Sequence, residues 1–305
     1  MTEKSVAILG AGRMGRAIAR RLHRAGWTVR VWNRTAERLH DLQAEGIFGS
    51  THLPDVLAEP SIWLTALADG PVTYSVWSMD GGMRGHARSG VLWVQMGTLD
   101  YTTTVRLAQE ALRVGMWFLD APVLGSVREA EAGRLVVMVG GDPDVIARAE
   151  TLFATLGHVV QAGAVGAGTL MKLTSNLLLA HMMEGFAEWM NFGQQVGLDP
   201  LRMWEVIKHS KLYCPMFEGK FRSLYEETFQ ASFPLKWMLK DLWAILDAGR
   251  RFSAYTPVTM SITSVYQAAF HHGYGEDDYA AVHQLLRMLS GTAPERAESA
   301  PAADT

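Results

Sequence analysis

Over the first half of the chain, short apolar runs alternate with longer stretches in which apolar positions recur at helical spacing. Residues 5–9, 27–32, 62–67, 91–95, 117–120 and 135–140 read as buried strands. Residues 14–25, 102–114 and 143–156 between them read as helices. A strand that leads through a helix to another strand needs a parallel crossover. The pattern therefore predicts an α/β Rossmann-type domain with a doubly wound, mostly parallel sheet.

From about Gly168 onward the period of two is almost absent. Residues 169–196 form one long apolar helical run rich in Leu and Met. Asp199 before Pro200 is a helix start, with Asp as N-cap and Pro at the first helical position. Residues 233–250, 257–271 and 277–289 also read as helices. The division this predicts is a dinucleotide-binding domain over 1–163, an all-α domain over 164–292 and a disordered tail over 293–305, rich in Ala, Pro and Glu.

Composition narrows the function classes. The 305 residues are 49% hydrophobic and 19% charged, which suits a globular protein of about two domains. A net charge of −3 gives no electrostatic reason to expect nucleic acid. No stretch approaches the ~20 apolar residues of a membrane span. The first apolar run, 6–9, is too short for a secretory leader. Cys214 is the single cysteine, so no intrachain disulfide forms and a cytoplasmic location is expected. The ten histidines show no ligand spacing, and no metal site is expected.

Gly10-Ala11-Gly12-Arg13-Met14-Gly15 matches G-x-G-x-x-G between a strand and a helix. There the glycines permit a tight turn and let backbone N–H groups approach a pyrophosphate, with the helix N-terminus adding positive potential. Where NAD binders carry an acidic residue after the second strand, this chain has Asn33-Arg34-Thr35. A carboxylate would repel a ribose 2′-phosphate. Arg34 attracts one, and Asn33 and Thr35 add hydrogen-bond donors, so NADP(H) is the expected cofactor.

Four blocks in order make the chain resemble the β-hydroxyacid dehydrogenase family, which includes 3-hydroxyisobutyrate dehydrogenases, tartronate semialdehyde reductases and glyoxylate/succinic semialdehyde reductases. They are the glycine turn with its Asn33-Arg34-Thr35 ending; Asp120-Ala121-Pro122-Val123-Leu124-Gly125-Ser126, continuing to Val139-Gly140-Gly141; Gly166-Ala167-Gly168 with Lys172 and Asn176; and Lys240-Asp241-Leu242. The resemblance spans about residues 4–290. It implies that Lys172 is the catalytic acid/base and that Asn176, four residues on and on the same helix face, orients the substrate or that lysine. It also implies that Lys240 reaches the active site near substrate or cofactor. Thr98 follows a strand end, where open α/β sheets bind ligands, and is assigned to the cofactor. Gly125 and Ser126 can offer backbone N–H groups, and Ser126 a hydroxyl, to a substrate carboxylate.

The expected activity is hydride transfer between NADP(H) and a small carbonyl or alcohol, a β-hydroxyacid or semialdehyde. The expected assembly is a homodimer through the apolar helical half, with the active site near the inter-domain cleft. Three positions depart from the family pattern. Leu124 and Gly97 stand where serine is usual, and Tyr101 where proline is common. Two alternatives share the fold. An imine reductase matches the Val31-Trp32-Asn33-Arg34-Thr35 segment but generally lacks the lysine at the position of Lys172. A non-catalytic nucleotide-binding scaffold would have no need of Lys172 and Asn176.

Overall fold

The computed structural model describes residues 4–292. The tail expected over 293–305 lies outside the described residues. The chain divides into two compact units, one running up to Leu173 and the other beginning at Thr174.

The first unit opens with β1 (Ser5–Leu9), α1 (Arg13–Arg24), β2 (Thr28–Trp32), α2 (His40–Ala44), β3 (Phe48–Ser50), α3 (Leu53–Leu57) and β4 (Ile62–Thr65). It continues with α4 (Gly70–Ser78), β5 (Leu92–Gln95), α5 (Tyr101–Arg113), β6 (Trp117–Asp120), β7 (Val123–Leu124), α6 (Val127–Ala132) and β8 (Leu135–Gly140). It closes with α7 (Pro143–Arg148), α8 (Glu150–Leu156), β9 (Gly157–Gly163) and the start of α9 (Ala167–Gln195). The strands form one sheet in the order β3-β2-β1-β4-β5-β6-β8-β7, with β9 paired to β8. Strands β1 to β6 pair in parallel, and β8 runs antiparallel to β6 and β7.

All five residues of β1 are buried, as a strand covered on both faces requires. Val6 and Ile8 join one core, and Ala7 and Leu9 the other. The alternation of side chains along a strand thus builds a separate core on each face of the sheet. The six strands read from the sequence are present, β4 ending at Thr65 rather than at Leu67. Three strands had no readable signal. β3 and β7 are three and two residues long. β9 is half-exposed along its length and has glycine at both ends. The single helix expected over 143–156 is two, divided at Ala149, where ψ is 3°.

The second unit contains the rest of α9, then α10 (Pro200–Lys208), α11 (Pro215–Tyr225), α12 (Leu235–Phe252), α13 (Pro257–Ala269) and α14 (Val282–Leu289). Asp199 caps α10 as its sequence position suggests, accepting the Leu201 N–H at 2.9 Å. α11 was not read from the sequence, because Gly219 in its interior weakens the helical signal. The core of this unit is aromatic: Phe186 stacks on Trp189 and Phe217, and Trp204 on Phe221. No helix among the described residues is long and apolar enough to cross a membrane.

Candidate active site

The glycine turn joins β1 to α1. Gly10 has φ +111°, and a Cβ there would lie 2.6 Å from the Ala66 carbonyl oxygen. A Cβ on Gly15 would lie 1.9 Å from the Gly10 carbonyl oxygen, so the helix approaches the turn only because Gly15 has no side chain. Around Gly12 there is open space: apart from its own neighbours in the chain, no described residue comes within 4 Å of an added Cβ. Two of the glycines are thus required by the protein's own packing, while the third keeps clear a surface that protein atoms do not fill. Gly12 is the N-cap of α1. No side chain caps the helix, and its first turn holds no acidic residue. Arg13 is exposed in this turn and Met14 packs partly against the core. Uncapped N–H groups facing an open cradle suit an anionic pyrophosphate.

The turn is tied to the end of β2. Gly10 N–H donates to the Trp32 carbonyl at 2.9 Å, and Ala11 N–H to the Asn33 side-chain oxygen at 3.1 Å. The Asn33 amide in turn donates to the Thr35 carbonyl at 3.0 Å. Asn33 is buried and holds the shape of the loop. Arg34 and Thr35 are exposed, and Arg34 makes no hydrogen bond or ion pair with any described residue. Its guanidinium is uncommitted among the described residues, and Arg34 follows directly on Asn33, which is bonded to the glycine turn.

Gln95, at the end of β5, is bonded to the Thr65 hydroxyl and donates to the Gly97 carbonyl at 3.0 Å. This shapes the loop that carries half-buried Thr98. A Cβ on Gly97 would lie 2.7 Å from the Leu67 carbonyl oxygen, so glycine lets the loops after β4 and β5 press together. The Tyr101 ring packs onto Gly166, where an added Cβ would come within 2.6 Å of it.

Leu124 in β7 is 39% exposed. The expectation that Ser126 offers its amide to a substrate carboxylate meets a competitor already in place. Ser126 N–H donates to the Glu129 carboxylate at 2.8 Å, and the Ser126 hydroxyl accepts the Arg128 N–H at 3.2 Å. This is a capping box for α6. Hydrogen bonds from the Ser126 side chain and then its amide hold the Glu129 carboxyl below its ordinary pKa, so the group stays ionised. Glu129 thus engages the hydroxyl of Ser126 as well as its amide.

The long helix α9 starts against Asp120, the last residue of β6. Asp120 is fully buried and accepts the Gly166 N–H at 2.9 Å and the Thr169 N–H at 2.7 Å, one on each carboxylate oxygen. Burial pushes its pKa up to about 6, against the pull of these hydrogen bonds. Lys172 is half-buried one turn further along α9, and Asn176 one turn beyond that on the same face. Asn176 is 1% exposed. Its amide donates to Asp241 on α12 at 2.6 Å, while its own oxygen has no partner among the described residues. Lys240 places its ammonium 3.0 Å from the other oxygen of Asp241. Asp241, to which the sequence assigned no chemistry, holds both Asn176 and Lys240. Asp120, Glu129 and Asp241 all escaped assignment as site-shaping groups, because the partners of Asp120 and Asp241 are remote in sequence. Only Ser126 three residues before Glu129 carried a local signal. No cluster of three metal-ligating side chains occurs among the described residues.

Two family models cover most of the chain. One, described as the NAD-binding domain of 6-phosphogluconate dehydrogenase, matches residues 5–166. The other, described as the NAD-binding region of NADP-dependent 3-hydroxyisobutyrate dehydrogenase, matches residues 166–286. Glyoxylate/succinic semialdehyde reductase 2 of Arabidopsis thaliana is 31% identical over 284 residues, covering 93% of this chain and 79% of that protein. Among solved structures, a Mycobacterium tuberculosis 3-hydroxyisobutyrate dehydrogenase with L-serine superposes with a TM-score of 0.84 at 27% identity. That match covers 94% of this chain and all of the other. An imine reductase from Myxococcus stipitatus, in complex with NAD+, superposes at 0.64 with 18% identity over 94% of this chain and all of that one, which is likeness of fold alone.

Proposed function

The chain belongs to the β-hydroxyacid dehydrogenase family of nicotinamide-dependent oxidoreductases acting on CH–OH groups, and on that premise we propose that it is an NADPH-dependent reductase of a small semialdehyde or related β-hydroxyacid precursor, with Lys172 as proton donor. The observation that carries the reading is the placement of Lys172 and Asn176 on consecutive turns of one helix face, with Asn176 buried and held by Asp241.

The open cradle at Gly12 and the uncapped start of α1 would hold the pyrophosphate, with Gly10 and Gly15 shaping the turn. Arg34 would pair with the 2′-phosphate, supported by Thr35, while Asn33 keeps the loop in shape. Thr98 would contact the cofactor, and Lys240 is assigned to substrate or cofactor. When bound, the cofactor supplies a hydride to the carbonyl carbon. The Lys172 ammonium stabilises the negative charge that grows on the carbonyl oxygen and then protonates it there; in the alcohol direction the neutral amine takes that proton back. Asn176, held on one side, uses its remaining hydrogen-bonding capacity to orient the substrate oxygen or the lysine. Gly125 and Ser126 would meet the substrate's polar end.

The exposed apolar residues of the helical unit support a homodimer. Leu178 and Phe192 are exposed on α9 and Val196 just after it, with Trp243 on α12 and Val258 and Met260 on α13. The decisive assay follows NADPH absorbance with glyoxylate, succinic semialdehyde and a cyclic imine. Turnover of the carbonyl compounds supports the reading. Turnover of the imine alone would replace it with an imine reductase.

A further inference from the structure

We propose that Asp120 is a positioning residue for Lys172: its buried carboxylate, at the end of a sheet strand, grips the first turn of α9 at two points and so fixes where the lysine one turn later is presented. The inference rests on Lys172 being the proton donor.

A single hydrogen bond would cap the helix end. Asp120 accepts two backbone bonds, from N–H groups three residues apart and each on a different oxygen, and the Thr169 side chain bonds to it as well. Two holds on one turn restrain rotation of the helix about its axis as well as its height, and those two coordinates decide where the Lys172 stem leaves the helix. The surroundings are built to allow the grip. A Cβ on Gly140 would lie 2.4 Å from the Asp120 carboxylate, and one on Gly168 would lie 2.6 Å from the Asp120 carbonyl oxygen. Strand, facing strand and helix therefore meet at a spacing that only glycine permits. The Thr169 hydroxyl lies 3.1 Å from that of Thr104 on α5, which adds a further hold on the same turn.

The choice of residue is also costly. Gly140, Gly166, Gly168 and Thr169 face Asp120 from β8 and the start of α9, and none carries a charge. Burying a carboxylate without a counter-ion disfavours its ionisation, as its raised pKa shows, whereas serine or threonine would cap the helix without that penalty. What the carboxylate adds is the second acceptor. Misplacing a catalytic group by about 1 Å costs about 10²-fold in rate, so such a hold matters to turnover.

A double-mutant cycle tests this, using NADPH and whichever of glyoxylate and succinic semialdehyde turns over faster. Asp120→Asn keeps the shape but loses one acceptor. It is expected to lower single-turnover hydride transfer about 10–100-fold and to leave NADPH affinity within about twofold. In the Lys172→Ala background the same change should have almost no further effect on rate, because the group it positions is gone. Thr169→Val, which removes only a hydroxyl, enters the same cycle if Asp120→Asn does not fold, with a smaller effect of the same pattern. Multiplicative losses in the double variant, or a full hydride-transfer rate in Asp120→Asn (or in Thr169→Val where it takes that place), would overturn the positioning role. Near-normal rates in Lys172→Ala alone would instead remove the proton-donor reading on which it rests.

Discussion

Asn176 and Asp241, 65 residues apart, are joined by a 2.6 Å hydrogen bond from amide to carboxylate, and each is only 1% exposed. The same carboxylate carries the Lys240 ion pair. Two blocks that read as separate in the sequence are therefore one unit. Replacing Asp241 with Ala should remove the Lys240 ion pair and leave the Asn176 amide unsatisfied, at a stability cost of about 2–4 kcal/mol. Urea unfolding measures it. A change below about 0.5 kcal/mol would show that the bond is not maintained in solution.

Lys172→Ala should lower kcat by about 10²–10⁴-fold or more with NADPH binding nearly unchanged. Lys172→Arg should be almost as slow, because a guanidinium does not release its proton near neutral pH. Asn176→Ala should be milder, since it positions and does not transfer. Single-turnover rates rank the three, and equal rates for the Lys172 variants and the parent would move the proton donor elsewhere.

The uncommitted guanidinium of Arg34 should make NADPH bind more tightly than NADH. Arg34→Ala should weaken NADPH binding by about 1–3 kcal/mol and hardly change NADH. Fluorescence titration with both cofactors checks it. Equal affinities in the parent protein would remove the 2′-phosphate assignment.

Glu129 occupies the Ser126 amide and closes the capping box of α6. Glu129→Ala should cost about 1 kcal/mol in thermal or urea unfolding while freeing that N–H. If the amide then serves a substrate carboxylate, KM for succinic semialdehyde should fall. An unchanged KM would place the carboxylate elsewhere.

Glu184 in α9 is 8% exposed, and burial together with Glu188 pushes its pKa up to about 7. The folded protein keeps a proton that the unfolded chain releases near its ordinary pKa of 4.5. The contribution of this group is therefore fully present below about 4.5 and is lost as pH rises through about 7, by at most about 3 kcal/mol. Asp120 acts in the same direction between its ordinary value and about 6, whereas His283, lowered to about 4 by burial and Arg287, acts in the opposite direction. Glu184→Gln isolates the first effect. Its melting temperature should exceed the parent's at pH 8 and approach it at pH 4.5, and a constant difference across that range would be inconsistent with the shift.

The fold was largely legible because its signals are local. Strand β1, the glycine turn and helix α1 follow one another within 20 residues, and each glycine and apolar position announces its place by spacing alone. The signals failed where an element depends on its neighbours. β9 is a half-exposed strand fixed by pairing with β8 and has no strong apolar run of its own.

The site divides along the same line. The sequence by itself determined the nucleotide cradle, the absence of an acidic residue after β2 and the four-residue spacing of Lys172 and Asn176, since all are set by backbone geometry over a few residues. Only the tertiary structure decided that Asp120 grips α9 across 46 and 49 residues, that Asp241 ties Asn176 to Lys240, and that Glu129 already holds the Ser126 amide. The physical reason is the cost of burial. A carboxylate withdrawn from water must find its N–H or ammonium partners wherever the packed chain brings them, and linear spacing does not encode where that is.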